Sequence, residues 1–183
     1  GADVVVSSGG PLTISGNVLS DTNGSKGGGI YVFNYGTNAP TTISGTLTVP
    51  SSSSSGMRIE THGPTTVSGS LVSGNAVFVG NYGTAAGNHT TISGSIAAGG
   101  GVRVYNALSP AQKPLSVSGS ITAYGDVDLD NFGAAAGNTT TIAGSVTSTG
   151  GDINVRHYGQ ATGKLVVSGA LSAIYDVNLF SDG

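Results

Sequence analysis

The sequence predicts an all-β protein, a right-handed parallel β-helix (solenoid) of about seven coils, with about 25 residues and three short strands in each coil. A pattern of β-branched residue, Ser, Gly, any residue and aliphatic residue recurs, and successive copies lie 29, 24 and then four times 25 residues apart. Each repeat holds three segments of alternating apolar and polar residues, and glycine interrupts every window before a helical stripe develops. We expect one β-helix domain over residues 1–183, with coils anchored at Ile14, Ile43, Val67, Ile92, Val117, Ile142 and Val167.

The first segment of each repeat ends at the Ser-Gly pair. In Leu115–Ser118, alternation directs Leu115 and Val117 inward and the two serines outward. The glycine that follows recurs in every coil, which predicts a backbone position that needs positive φ or has no room for a Cβ atom. The second segment begins two residues later and supplies another inward row, Val18, Leu47, Leu71, Ile96, Ile121, Val146 and Leu171.

The third segment has aliphatic outer members and a variable middle member, as in Val77-Phe78-Val79, and this indicates one buried and one solvent-facing side. A corner follows it, with the sequence Asn-aromatic-Gly at 34–36, 81–83 and 131–133. We expect the left-handed conformation there, and asparagine side chains that hydrogen-bond along the axis. The first and last strands of the chain, around Val4 and Val177, are both of this third type, and neither end carries an evident cap.

Composition excludes several classes of function. Only 8% of the residues are charged, the net charge is −3, and the six Lys and Arg residues are scattered, which excludes a nucleic-acid-binding surface. The chain has no cysteine, and no apolar run is long enough to span a membrane. It also has no nucleophile elbow, phosphate loop or dinucleotide fingerprint. We therefore expect no enzyme activity and no cofactor.

The sequence pattern of the repeats resembles that of a known family. The Ile/Val-Ser-Gly-x-Leu/Ile pattern, followed by Gly-Asp-Val-Asp-Leu-Asp-Asn at 125–131, is similar to the β-helical repeats of filamentous-haemagglutinin-like exoproteins. These are exported by two-partner secretion systems of Gram-negative bacteria, and the resemblance covers essentially the whole chain, although the motifs of the family's secretion domain are absent. It implies a shaft segment of an extracellular or cell-surface adhesin, with a host-cell or glycan receptor as a possible partner. Open β-helix edges also predict end-to-end self-association or continuation in a longer chain.

The most charged segment supplies one candidate site, which consists of Arg103, Asp126, Asp128, Asp130, Asp152 and Arg156. Alternation directs the first three aspartates to one outer face, and the repeat register places Arg103 beside Asp128 and Asp130 beside Arg156. We expect a solvated face with weak ion pairs. Two alternatives remain open: a Ca²⁺ site, and a carboxylate pair that binds or degrades a polysaccharide.

Aromatic residues form two groups in the sequence. One group occupies the corner position and is expected to stack: Tyr35, Tyr82, Phe132 and Tyr158. The other group is directed outward by alternation and is a candidate contact surface near the ends of the rod: Tyr31, Phe33, Phe78, Tyr105 and Phe180.

Hydroxyl residues flank the first segment of nearly every coil, with threonines such as Thr42 and Thr91 followed two residues later by Ser44 and Ser93. We expect ordinary hydroxyl ladders on a solvent face. An ice-binding surface is the alternative, and it requires this face to be flat and bare. The three histidines, His62, His89 and His157, are expected to be polar residues of corners and loops rather than zinc ligands.

Overall fold

The computed structural model describes residues 2–20, 27–51, 53–109, 113–159 and 162–182. These residues form 22 β-strands in three parallel sheets, with successive coils stacked on one another, so the predicted β-helix is confirmed. The described part of the chain contains no helix of the length and hydropathy that crossing a membrane requires.

Each coil contributes one strand to each sheet. Sheet 1 contains the third segments, β1 (Val4–Ser8), β4 (Ile30–Asn34), β7 (Met57–Thr61), β10 (Val77–Asn81), β13 (Val102–Ser109), β16 (Val127–Gly133), β19 (Ile153–His157) and β22 (Val177–Ser181). Sheet 2 contains the first segments, β2 (Leu12–Ile14), β5 (Thr41–Ile43), β8 (Thr65–Val67), β11 (Thr90–Ile92), β14 (Leu115–Val117), β17 (Thr139–Ile142) and β20 (Lys164–Val167). Sheet 3 contains the second segments, β3 (Val18–Leu19), β6 (Thr46–Val49), β9 (Ser70–Ser73), β12 (Ile96–Ala98), β15 (Ile121–Ala123), β18 (Val146–Ser148) and β21 (Leu171–Ser172).

The core consists of the inward columns that the sequence predicts. Ile43, Val67, Ile92, Val117 and Ile142 stack in register through sheet 2 and are fully buried. Sheets 1 and 3 supply matching aliphatic columns to the same core. Because each coil buries its apolar side chains only on the coils above and below it, stability accumulates along one dimension.

The recurring glycine after each anchor is explained by close packing and not by its φ angle. A Cβ atom on Gly45, Gly69, Gly94, Gly119 or Gly144 would overlap the carbonyl oxygen of the equivalent glycine in the preceding coil. Among the described residues, only Gly87, Gly137 and Asn38 have positive φ. Of the two reasons that the sequence offered for this row, the lack of room for a side chain is the correct one.

The corner asparagines are likewise not left-handed, so that expectation was wrong. They are fully buried and organise the corner by hydrogen bonds. Asn34 Oδ1 accepts the backbone N–H of Gly36 at 3.1 Å, and its Nδ2 donates to Thr41 Oγ1 at 3.0 Å. Asn81 repeats the first contact with Gly83 at 3.0 Å. Each asparagine therefore ties the end of a sheet 1 strand to the loop that returns to sheet 2.

Threonine side chains add hydrogen bonds between coils at this corner. Thr90 Oγ1 donates to Asn106 Oδ1 of the next coil at 2.6 Å, and Thr140 Oγ1 bonds His157 Nδ1 at 2.9 Å. The direct asparagine contact that the sequence predicted joins Asn106 Nδ2 to Asn131 Oδ1 at 3.4 Å. Buried polar groups of this kind are stabilising because each finds a partner away from water.

A candidate contact surface on sheet 1

The outer face of sheet 1 carries the charged and aromatic side chains that the sequence singled out. Arg103 lies beside Asp128 and Asp130 lies beside Arg156 in the strand register, as predicted. Two outward columns run along this face. The first contains Tyr31, Arg58, Phe78, Arg103, Asp128, Asn154 and Asn178, and the second contains Phe33, Glu60, Gly80, Tyr105, Asp130, Arg156 and Phe180.

Asp130 is the centre of the charged cluster. Its Oδ2 accepts from Arg103 Nη2 at 2.9 Å and its Oδ1 accepts from Arg156 Nη1 at 3.0 Å. Arg103 therefore pairs diagonally with Asp130, although Asp128 is its neighbour in register. The two arginines cover the carboxylate, so Asp130 is fully buried, and the expectation that it lies on a solvated face was wrong.

The other aspartates of the cluster also bind the neighbouring coil. Asp126 Oδ1 accepts the backbone N–H of Asp152 at 2.9 Å, and Asp152 Oδ1 accepts that of Asp176 at 3.1 Å. Asp128 Oδ1 accepts from Asn154 Nδ2 at 3.1 Å and from Arg156 Nη1 at 3.3 Å. These carboxylates join one coil to the next. In the described part of the chain, no three His, Asp or Glu side chains converge as metal ligands would.

Replacing Asp130 by Asn is expected to destabilise the fold by about 2 kcal/mol, because Arg103 and Arg156 then lose their buried anionic partner. Both arginines are partly exposed, so water compensates for part of the lost interaction. The control is Asp176→Asn, since the Asp176 side chain is exposed. Urea denaturation measures both, and the control is expected to stay within about 0.5 kcal/mol of the parent. Equal stability of the two variants would contradict a structural role for the Asp130 ion pairs.

Rings from both aromatic groups form one continuous ladder together with His62, and Phe78 is not a member of it. Adjacent ring centroids are 4.6–6.4 Å apart from the first ring to the last. Such offset and tilted contacts stabilise each pair by about 0.5–1.5 kcal/mol beyond burial. In order, the ladder contains Tyr31, Phe33, Tyr35, His62, Tyr82, Tyr105, Phe132, Tyr158 and Phe180.

Two members of the predicted outward group complete the corner column. The coil of Tyr105 has Ala107 at the corner and the coil of Phe180 has Asp182 there, so neither corner residue supplies a ring. The aromatic residue two positions earlier lies in the gap, with Tyr105 between Tyr82 and Phe132 at 5.7 and 5.5 Å. The corners without an aromatic residue were visible in the sequence, and they were the signal that Tyr105 and Phe180 belong with the corner rings.

The five members of the outward group are only partly exposed. Tyr31, Phe33, Phe78 and Tyr105 are half-buried, and Phe180 is 46% exposed. Phe78 and Tyr105 also lie in the middle of the stack, so the expected location near the ends is wrong for them. Whether this group binds a partner stays a prediction.

Arginine and aromatic side chains surround a shallow groove on this face. Arg58 lies over the Phe78 ring at 4.7 Å, and Arg103 lies over the Tyr105 ring at 4.9 Å. Gly80 leaves room for the Phe78 and Tyr82 rings, because a Cβ atom there would come within 2.6 Å of the first and 2.9 Å of the second. The groove has two adjoining parts, one of about 240 Å³ between Phe78, Tyr82, Arg103 and Tyr105, and one of about 400 Å³ that continues from Phe78 past Arg103 to Asp126 and Asp128.

The three histidines differ in their environments. His62 is a member of the aromatic ladder, and His89 lies in a return loop, as expected. His157 is instead fully buried at the end of β19, with Nδ1 bonded to Thr140 and Nε2 against Gly159 and Gly163. Burial lowers the pKa of His157, which favours the neutral ring.

Comparisons of the chain with protein-family models, curated proteins and solved structures found no match. We therefore infer the function from the geometry of the coils and their outer faces.

Proposed function

We propose that the chain is an extracellular structural and adhesive rod, either a shaft segment of a bacterial surface adhesin or the subunit of a head-to-tail filament. The observation that carries the proposal is the continuous stacking of three parallel sheets over the described coils. A stack whose core, hydrogen bonds and aromatic ladder all run along one axis is a stiff spacer. The extracellular location is supported by the resemblance to secreted adhesins.

The acidic cluster favours this function over the polysaccharide-degrading alternative. A glycosidase needs one carboxyl group to transfer a proton and another to act as base or nucleophile. Asp130 is covered by two arginines, while Asp126 and Asp152 accept backbone N–H groups of the next coil. The groove beside Phe78 instead offers a shallow surface where the adhesive role predicts receptor contact.

The partner that fits the last described coil best is another β-helical coil. Val177 and Leu179 point along the core columns, yet they are 42% and 52% exposed. In a stacked copy, Val4 and Val6 of β1 would lie on Val177 and Leu179 and continue both aliphatic columns. Sheet 1 has eight strands and sheets 2 and 3 have seven each, so a copy joined through β22 and β1 leaves one strand position open in sheets 2 and 3 at the junction. Open edges of parallel sheets readily accept such added strands.

The test is negative-stain electron microscopy of the protein over a concentration series, with Leu179→Lys and Asn178→Lys as matched variants. Leu179 faces the open core column, whereas Asn178 is on the same strand and faces solvent. We expect parent and Asn178→Lys to form unbranched fibres one coil in width, and Leu179→Lys to remain as short rods, because a charge in the stacked core is strongly unfavourable.

Short single rods from all three proteins would contradict the proposal that the chain is a filament subunit. The proposal that it is a shaft segment of an adhesin would remain. Globular particles, or fibres that Leu179→Lys does not affect, would contradict end-to-end stacking through the core columns.

A further inference from the structure

We propose that the outer face of sheet 2 binds ice. This function is independent of the proposed rod and adhesin role. The hydroxyl face, as we name it, contains two columns of outward side chains. The first column contains Thr13, Thr42, Thr66, Thr91, Ser116 and Thr141, and the second contains Ser15, Ser44, Ser68, Ser93, Ser118 and Ser168.

The first column is held in register by the strands of sheet 2. Thr42, Thr66, Thr91, Ser116 and Thr141 are direct neighbours from coil to coil, with no shift in the register. Coils of a parallel sheet are spaced about 4.8 Å apart, so the hydroxyls recur at that interval. The column ends at Val166, which has the shape of threonine without its hydroxyl.

The second column is fixed with the same regularity, although it lies just beyond the strands. From the second coil onward, each serine N–H donates at 2.9 Å to the carbonyl of the anchor residue in the preceding coil, as Ser44 does to Ile14 and Ser93 does to Val67. The same 2.9 Å contact recurs at Ser68, Ser118 and Ser168. Ala143 interrupts the column between Ser118 and Ser168. The second column lies two residues along the strand from the first, which is about 6.7 Å. Its serine side chains are exposed.

These hydroxyls have no protein partner within the described residues, which distinguishes them from other hydroxyls on the same strands. Inward Thr41, Thr90 and Thr140 are all bonded to asparagine or histidine side chains. None of the side-chain hydroxyls of the hydroxyl face makes such a bond with the described part of the chain. Their donors and acceptors are therefore free for water.

Ice is the form of water that a rigid array of this kind recognises. Hexagonal ice presents oxygen atoms at regular intervals in two directions, and the two repeats of the hydroxyl face are comparable with those on its prism surface. The sheet fixes the backbone, and β-branching restricts χ1 of the threonines, so little side-chain entropy is lost on binding. Each contact between a hydroxyl and ice is weak, but many contacts form at once because one rigid sheet carries all the hydroxyls. Neither column contains a charged residue.

The experiment measures thermal hysteresis by nanolitre osmometry and inhibition of ice recrystallisation, using the complete 183-residue chain. Thr91→Tyr places a large ring in the middle of the hydroxyl face, and Thr91→Val removes the hydroxyl while keeping the shape. The matched control is Thr122→Tyr, since Thr122 is an exposed, outward residue of β15 in sheet 3. Circular dichroism establishes that all variants are folded.

We expect faceted ice growth and measurable hysteresis from the parent and from Thr122→Tyr. Thr91→Tyr should lose most of the activity, and Thr91→Val should lose a smaller part. Absence of hysteresis and of recrystallisation inhibition in the parent would overturn the proposal. Equal activity of the two tyrosine variants would overturn it as well, because the active surface would then be elsewhere. Fibre formation in the microscope is unaffected by either outcome, so the rod and ice-binding proposals are tested separately.

Discussion

Replacing Gly119 by alanine is expected to destabilise the β-helix by more than about 3 kcal/mol, the range in which a single substitution points to a specific steric cause. An alanine Cβ at this position overlaps the carbonyl oxygen of Gly94 in the preceding coil. Both groups belong to the backbone, so neither can rotate away as a side chain would. The two coils must separate locally, and the separation also weakens the N–H···O bond of Gly119 to Ile92, which is 3.1 Å long.

The same column supplies a matched control. Gly16 occupies the equivalent position in the first coil, and nothing lies within 4 Å of a Cβ atom built on it. Gly16→Ala should therefore change the free energy of unfolding by less than about 0.5 kcal/mol, as exposed substitutions usually do. Urea denaturation followed by circular dichroism measures both variants. Equal losses would contradict close packing and would instead indicate that the position needs the flexibility of glycine.

The contrast between these glycines shows what the repeat could reveal before the structure was known. The period of 25 residues fixed the number of coils, the three strands per coil and the inward columns, because each depends only on alternation and repetition. It could not decide between positive φ and close packing for the glycine row, since both select glycine. That decision required the position of the preceding coil's backbone.

The candidate site was less predictable for a related reason. Register correctly placed Arg103 beside Asp128, but the long guanidinium reaches diagonally to Asp130. Two arginines that converge on one carboxylate from opposite sides bury it, and no alternation pattern reports such burial. The role of Lys113 was missed entirely, because a single lysine in a loop sequence reads as a solvated residue.

Lys113 is expected to make the stability of the protein rise with pH. Its side chain is fully buried, and Nζ donates to the backbone oxygens of Asn81 at 2.8 Å and Ala107 at 3.4 Å. No carboxylate pairs with it among the described residues. Burial of the unpaired ammonium lowers the pKa of Lys113 from 10.5 to about 8. The unfolded chain therefore binds more protons than the folded protein between these two values, and stability increases as the pH rises through that window.

Lys113→Met tests this linkage, because methionine keeps most of the side-chain volume and removes the titrating group. A pKa shift of this size corresponds to a cost of roughly 3 kcal/mol for burying the charged lysine. Removing the lysine also leaves two carbonyl oxygens without a donor, which costs about 1 kcal/mol and offsets part of the gain. At pH 7 we expect the variant to be more stable than the parent by about 2 kcal/mol, and this advantage should shrink at pH 9.5. Lys164→Met, at an exposed position of β20, is the control and should show no such pH-dependent difference. Urea denaturation at the two pH values measures the effect, and the shared tyrosine titrations cancel when variants are compared. A variant that is less stable than the parent by the same amount at both pH values would mean that the hydrogen bonds of Lys113 outweigh the cost of burying its charge.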